Sequence, residues 1–409
     1  MKTSHRILAG LSLTAGVAAL VAAPGWTQAT SGTVARYTVD AGTSSGMAAM
    51  GAGGGGVLGA LGGGGNQVAH ELYLKLGSSR SPTGEADADH FMPAGARLGT
   101  SVPLETPRSA ATPRGTPGEM PQGQMPEGRL LLFWGCGEHA GPGQPVVIDF
   151  SKLARGQVPP GLYANYSNLP EAWSVNAGNS RTYGEWPNSR DGKRVEANAS
   201  LLGAHRVASN YAPEIAFDLA DDFMPALRPA TRDMASGAVG LSWNALEKAT
   251  GYYAWVIATN PEGNSRDMVW WTSSAKQAFG GPMGEWLSPA AARQLVADGT
   301  VMPPSQTACA IPAEVKAAGG PFMMTQLFAY GPQADFSYPV RPANAPRSWS
   351  PEWIARVRFR ANAMVMHGMP GMGGFGGGEE RAGEQAPEPA LPRCRGLRGI
   401  AERAAGLCR

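Results

Sequence analysis

The chain has 409 residues and a formal charge of +2, from 34 basic and 32 acidic side chains. So even a balance offers no polybasic surface for nucleic acid or an anionic membrane, and the length allows two or three domains. The 56 glycines and 34 prolines gather in a few stretches, which separates folded from low-complexity segments.

Residues 1–29 read as a secretory signal peptide. Lys2, His5 and Arg6 give a basic start, residues 7–23 are apolar apart from Ser12 and Thr14, and Thr27-Gln28-Ala29 presents small residues where a signal peptidase cuts. The apolar run is short for a bilayer span and rich in Ala and Gly. Cleavage after Ala29 is therefore expected, with no integral membrane segment left. The expected address is exported, periplasmic or secreted, in a Gram-negative bacterium.

Export makes paired cysteines the default. Cys136, Cys309, Cys394 and Cys408 allow two disulfides in three connectivities, and chain order favours Cys136–Cys309 with Cys394–Cys408. An unbroken helix between Cys394 and Cys408 would hold them roughly 21 Å apart. That bridge needs a short helix whose flanks fold back, since bonded cysteines have close Cα atoms.

Residues 30–66 read as a linker. Residues 34–39 have the pattern of a short strand, but residues 47–65 are nearly all Gly, Ala and Met, with too little apolar surface to offset their ordering entropy. Residues 67–224 read as a β-rich domain with a long Pro-rich loop. Along 68–76, Val68, His70, Leu72, Leu74 and Leu76 alternate with Glu71, Tyr73 and Lys75. Residues 77–127 are rich in Pro, Gly, Thr and Ser, as an extended loop would be. Residues 130–134 form a continuous apolar run suited to a strand buried on both faces. Residues 145–150 and 214–219 are further strands. Residues 163–198 lack a period and read as loops.

Residues 225–366 are more regular. Strands are expected at 238–243, 252–259, 268–272, 307–311, 322–330 and 353–366. A helix is expected at 288–298, with Ser288 as N-cap, Pro289 in the first turn and Gly299 past the end. Leu241-Ser242-Trp243 followed by Gly251-Tyr252-Tyr253-Ala254-Trp255, then Thr307-Ala308-Cys309-Ala310-Ile311-Pro312 and Leu327-Phe328-Ala329-Tyr330, resemble the B, C, E and F strands of a fibronectin type III module. The resemblance covers 225–366, with 274–304 as a helical insertion. It implies a two-sheet sandwich used for binding or as a spacer, and no chemistry. The expected fold class is mainly β, with two β-sandwich-like domains. The second is fibronectin type III/immunoglobulin-like, and Gly/Pro-rich disordered linkers and a tail complete the chain. The tail, 367–409, ends in a short basic helix bracketed by cysteines.

No GxSxG, HExxH, phosphate-binding P-loop or strand-borne GxGxxG motif occurs. The leading expectation is an exported, non-catalytic protein with no cofactor, which binds an envelope protein or glycan or supports the envelope. One alternative uses Met364, Met366, His367, Met369 and Met372, whose thioethers and imidazole suit Cu(I), against low-complexity filler. A second uses Tyr163, Tyr166, Trp173, Tyr183 and Trp186, whose rings would stack on sugars or else cap an open sandwich end. Glu85, Asp87, Asp89 and His90 alternate like the ligands of a hard cation. They lack the Gly and distal Glu of a loop site, and read as solvated charge in an exposed loop. Arg356, Arg358 and Arg360 read as edge-strand charges that resist aggregation.

Overall fold

Alternation of apolar and polar side chains builds this fold, and long-range pairing of polar side chains completes it. A computed structural model describes residues 32–53, 67–107, 128–154, 174–260, 267–280, 282–346 and 349–368. The expected signal peptide and cysteine-bracketed tail lie outside these, as do Tyr163, Tyr166, Trp173, Met369, Met372, Cys394 and Cys408.

The chain opens with β1 (Ala35–Gly46), α1 (Met47–Gly53), β2 (Val68–Ser78), β3 (Ala88–Phe91) and β4 (Ser101–Pro103). It continues with β5 (Arg129–Trp134), β6 (Val146–Asp149), α2 (Phe150–Ala154), β7 (Thr182–Trp186), β8 (Gly203–Ser209) and β9 (Ile215–Leu219). Then come β10 (Ala230–Asp233), β11 (Val239–Ser242), β12 (Gly251–Thr259), β13 (Met268–Thr272) and α3 (Pro289–Ala297). It closes with β14 (Ala308–Ile311), α4 (Ala313–Gly319), β15 (Met323–Tyr338) and β16 (Trp353–His367). The described residues are thus mainly β. None of their helices is long and apolar enough to cross a membrane.

Nine strands form one sheet in the order β6-β5-β13-β12-β15-β16-β1-β2-β7. Two smaller sheets have the orders β4-β3-β8-β9 and β10-β11-β14. Val357, Phe359, Ala361, Ala363 and Val365 alternate along β16 and are buried. Val357 and Phe359 share a single core with Val207 and Ile215 of the four-stranded sheet and Leu241 and Ile311 of the three-stranded sheet. Both small sheets therefore cover one face of the large sheet, an arrangement compatible with a β-sandwich. Each such large side chain contributes about 1.5–3 kcal/mol on full burial.

The large sheet takes strands from both sides of the boundary expected at 224/225. Two parallel pairings join them, β5 with β13 and β1 with β16. β1 corrects the expectation that 30–66 is a linker throughout. It is a twelve-residue strand between β16 and β2, and of its side chains only Arg36 is not buried. Its small polar composition suits a linker, but partners distant in sequence satisfy the polar groups. Asp40 receives both guanidinium arms of Arg358 at 2.7 and 3.0 Å, Thr43 donates to the Met224 carbonyl, and Ser45 donates to the Leu227 carbonyl.

β7 likewise replaces part of the loop expected over 163–198. It pairs with β2 through Gly184, where a Cβ would lie 2.7 Å from the Leu104 carbonyl oxygen. The arginine stripe is not on an edge either, because β16 is paired on both sides. Its charges are spent on partners, Arg356 on Asp335, Arg358 on Asp40 and Arg360 on Glu71. Trp286 closes over this stripe, with the Arg360 guanidinium 3.7 Å from its ring centroid and its indole N–H bonded to the Ala41 carbonyl.

The expected helix is α3. The Ser288 hydroxyl accepts from the Ala291 N–H at 3.1 Å, with Pro289 in the first turn. Its Ala291, Ala292 and Leu295 pack with Tyr253, Phe328 and Tyr330 on the other face of the large sheet. The Cys136–Cys309 disulfide is present, with Cα atoms 5.0 Å apart. It ties the turn after β5 to β14.

Candidate binding surface at one end of the large sheet

β15 and β16 run side by side and are joined by residues 339–352. Pro339, Pro342, Pro346 and Pro351 stiffen this connection, because each fixes φ and removes a donor. Backbone bonds from Ala345 to Pro342, Trp349 to Pro346 and Glu352 to Tyr338 brace its described parts. The result holds apolar groups out in solvent. Tyr338 is 58% exposed and Val340 81% exposed. The Tyr338 ring lies parallel-offset against Trp353, centroids 6.4 Å apart and 20° between planes, and Trp353 is itself buried. The Arg341 guanidinium sits 5.5 Å from the centroid of Trp349. Tyr and Trp rings held this way are typical recognition anchors.

A polar pocket adjoins the loop. The Thr33 hydroxyl lies 3.3 Å from that of Ser350, and Thr33 also lines a cavity of about 360 Å³ with Arg36, Ser79, Asn179, Ser180 and Arg181. Three strand ends position it. Arg36 faces Gly77 across the β1–β2 pairing, and Gly77 faces Tyr183 across the β2–β7 pairing. Arg181 precedes β7 by one residue and its backbone N–H bonds to the Ser78 carbonyl at 2.8 Å, so the two arginines come from the strands on either side of β2. Arg36 donates to the Asn179 carbonyl at 3.1 Å, and Arg181 donates to the Ser81 hydroxyl at 2.7 Å. These bonds set the direction of each guanidinium fork. The surface therefore offers rings for stacking, an apolar tip, and guanidinium and hydroxyl donors.

The sequence-derived candidates fall elsewhere. Tyr183 and Trp186 are 6% and 2% exposed, with the Tyr183 hydroxyl donating to Glu185 at 2.6 Å. Both serve burial. Met364 and Met366 lie opposite Gln326 and Met324 on one face of β16. His367 lies on the other face, 3.2 Å from both the Thr231 hydroxyl and Asp233. The strand's two-residue period thus parts His367 from the two methionines. Among the described residues, no three His, Cys, Asp or Glu side chains converge as a metal site. Glu85 and Asp87 line a second cavity, of about 820 Å³, with Glu105 and Arg190, the last two paired at 2.8 Å. Asp89 instead accepts from Ser101.

His90 does not belong to an exposed acidic loop. It is fully buried on β3, between the Tyr37 hydroxyl at 2.7 Å and His205 Nδ1 at 3.0 Å, and His205 Nε2 meets the Leu201 carbonyl at 2.7 Å. Burial pushes the His90 imidazole well below its ordinary value, and the neighbouring His205 lowers it further. Burial also lowers His205, against the opposing pull of the Leu201 carbonyl and Asp218. His70, stacked on Phe223 at 3.9 Å, is lowered by burial, with Asp222 and the Glu196 backbone opposing.

Sequence reasoning missed the surface at the sheet end. The available signal was compositional, four prolines, Tyr338, Trp349 and Trp353 within sixteen residues between two strands. Compared with known protein families, with curated proteins and with solved structures, the chain matches none.

Proposed function

We propose that this chain is an exported, non-catalytic β-sandwich protein that binds a component of the bacterial envelope through the end of its large sheet. One observation carries the reading: Tyr338 and Val340 stand exposed on a proline-braced loop whose base is anchored on buried Trp353. Exposed apolar groups on a stiffened loop lose little conformational freedom on binding. The Cys136–Cys309 bond suits an oxidising compartment.

The fibronectin type III-like reading of 225–366 draws support from the strand partition. β10, β11 and β14 share one sheet, while β12, β13, β15 and β16 lie in the sheet that faces it. α3 falls between β13 and β14, where an insertion was expected. In that reading the 339–352 connection is the loop between the last two strands, at an end of the sandwich open to a ligand. A Cu(I) role draws less support, because Met364 and Met366 point away from His367.

The test is a Tyr338→Ser, Val340→Ser double variant of the exported chain. Its urea midpoint should match the wild type, since exposed positions change stability by only about 0.5 kcal/mol. Its retention in washed envelope fractions should fall by about tenfold, the effect of losing roughly 1.4 kcal/mol of binding. Wild-type protein that washes freely from the envelope, or a variant retained equally, overturns the reading.

A further inference from the structure

We infer that the outer face of the three-stranded sheet binds a zwitterionic dipeptide, held by both of its charged ends. The site shares no residue with the 339–352 connection, so it stands apart from the role proposed there.

The two-residue period sorts the side chains of this sheet. Leu241 of β11 and Ile311 of β14 face the core. Gly240 and Ser242 therefore face outward, beside Ala308 and Ala310 across the β11–β14 pairing. These small residues make the low floor of a cavity of about 390 Å³, at the lower end of small-ligand sites. One wall is Arg232 of β10 with Met234 just after it, and the other is the turn Cys136-Gly137-Glu138 beyond β14. That turn is held rigidly. The Cys136–Cys309 bond fixes it, the Gly137 N–H donates to the Ala310 carbonyl at 3.0 Å, and the Glu138 carbonyl accepts from Ala313 at 3.0 Å.

The two walls carry opposite charges. Arg232 lies opposite Gly240, where a Cβ would come 3.3 Å from its Cγ and 3.4 Å from its Nε. The missing side chain thus lets the arginine stem lie inward over the floor. Asp233, next in sequence, sits on the other face of β10 and pairs with Lys316 and His367. Neither Arg232 nor Glu138 has an ion-pair or side-chain hydrogen-bond partner among the described residues, and they do not reach each other. A guanidinium takes a carboxylate through two N–H donors, and a carboxylate accepts from an ammonium. A free peptide carries both groups.

The spacing selects the length. Arg232, Gly240, Ala310 and Gly137 form a row linked by backbone pairing, three steps of about 4.8 Å, or about 14 Å between the outer backbones. Both charged side chains reach inward from there, which leaves a span near that of an extended dipeptide, at most about 7 Å. One amino acid is too short to meet both charges, and a longer peptide overhangs them. The Gly and Ala floor lets a peptide backbone lie close, and the Ser242 hydroxyl stands beside it to donate or accept.

The probe is L-alanyl-L-alanine, titrated calorimetrically into the exported chain at neutral pH and physiological salt, beside its N-acetylated and C-amidated forms. The free dipeptide should bind, and each blocked form should bind about tenfold more weakly. Arg232→Gln should erase the penalty of amidation and keep that of acetylation. Glu138→Gln should do the reverse. Both positions are exposed, so the urea midpoints of the variants should match the wild type. No binding of the dipeptide, equal binding of its three forms, equal binding of alanine alone, or variants that keep both penalties overturns the inference. Envelope retention is read separately on the Tyr338 and Val340 variant, so either reading can fail alone.

Discussion

The free energy of unfolding should fall as pH drops below about 6.5, by about 1.4 kcal/mol per pH unit for each of two buried histidines. The geometry fixes which proton sits where. The Leu201 carbonyl can only accept, so His205 must carry its proton on Nε2, and a neutral His205 then accepts at Nδ1. His90 must therefore donate from Nε2, which leaves its own Nδ1 as an acceptor for the Tyr37 hydroxyl. The chain Tyr37 to His90 to His205 to Leu201 has one direction when both rings are neutral. It also joins β1 of the large sheet to β3 and β8 of the four-stranded sheet. A first added proton, on His90 Nδ1, takes away the acceptor of the Tyr37 hydroxyl, which must then turn and accept. A second sets two N–H groups against each other in a site closed to water.

Both folded-state values lie below that of the unfolded chain, His90 by the larger margin, so below about 6.5 the unfolded chain binds more protons. Stability from these groups is fully present above that pH and is lost as pH falls toward the folded values. Two such groups give a slope of about 2.7 kcal/mol per pH unit at its steepest. His70 adds in the same direction. Urea unfolding at pH 7.5, 6.5 and 5.5 measures the slope. A flat profile across that range would exclude neutral rings in the folded state. Tyr37→Phe removes the hydroxyl that satisfies His90 and should cost about 1–3 kcal/mol at pH 7.5.

This relay, like much of the fold, is built from residues that say little locally. Strand 68–76 and the helix capped by Ser288 were legible because their signals are local, an alternation and a cap. β1 was legible only over residues 34–39, because the run of Ala, Gly, Thr and Ser that follows becomes a buried strand only when Arg358, 318 positions away, answers Asp40. The arginines of β16 were visible as a stripe, but an isolated strand pattern does not tell whether one side or both are paired. His367 lies one residue beyond the expected end of that strand. Once the strand continues, period two sends it to the opposite face from Met364 and Met366. The sheet-end surface was half legible. Its loop was visible as a cluster of prolines and aromatics, while its pocket draws on residues near 33–36, 77–79 and 178–181, which only pairing brings together.

The Cys136–Cys309 bond should contribute about 2–5 kcal/mol, toward the upper end of that range. It closes a segment with a sequence separation of 173, and in the chain-entropy account a loop of that length loses about 5 kcal/mol of unfolded-state freedom when bonded. Its position adds a second reason. The turn it fixes also makes backbone bonds from Gly137 to Ala310 and from Ala313 to Glu138, while β5 reaches the rest of the large sheet only through its parallel pairing with β13. Freed of the bond, β5 and β6 at the sheet's edge should loosen before the centre does. A Cys136→Ser, Cys309→Ala variant avoids burying a hydroxyl at the nearly inaccessible Cys309. Its urea midpoint should fall, and its m value should rise because the unfolded chain becomes more expanded. Hydrogen exchange should quicken first over 129–149 and least over β1 and β16. A variant within about 0.5 kcal/mol of the wild type, or one whose exchange quickens uniformly, would show that backbone pairing alone holds that edge.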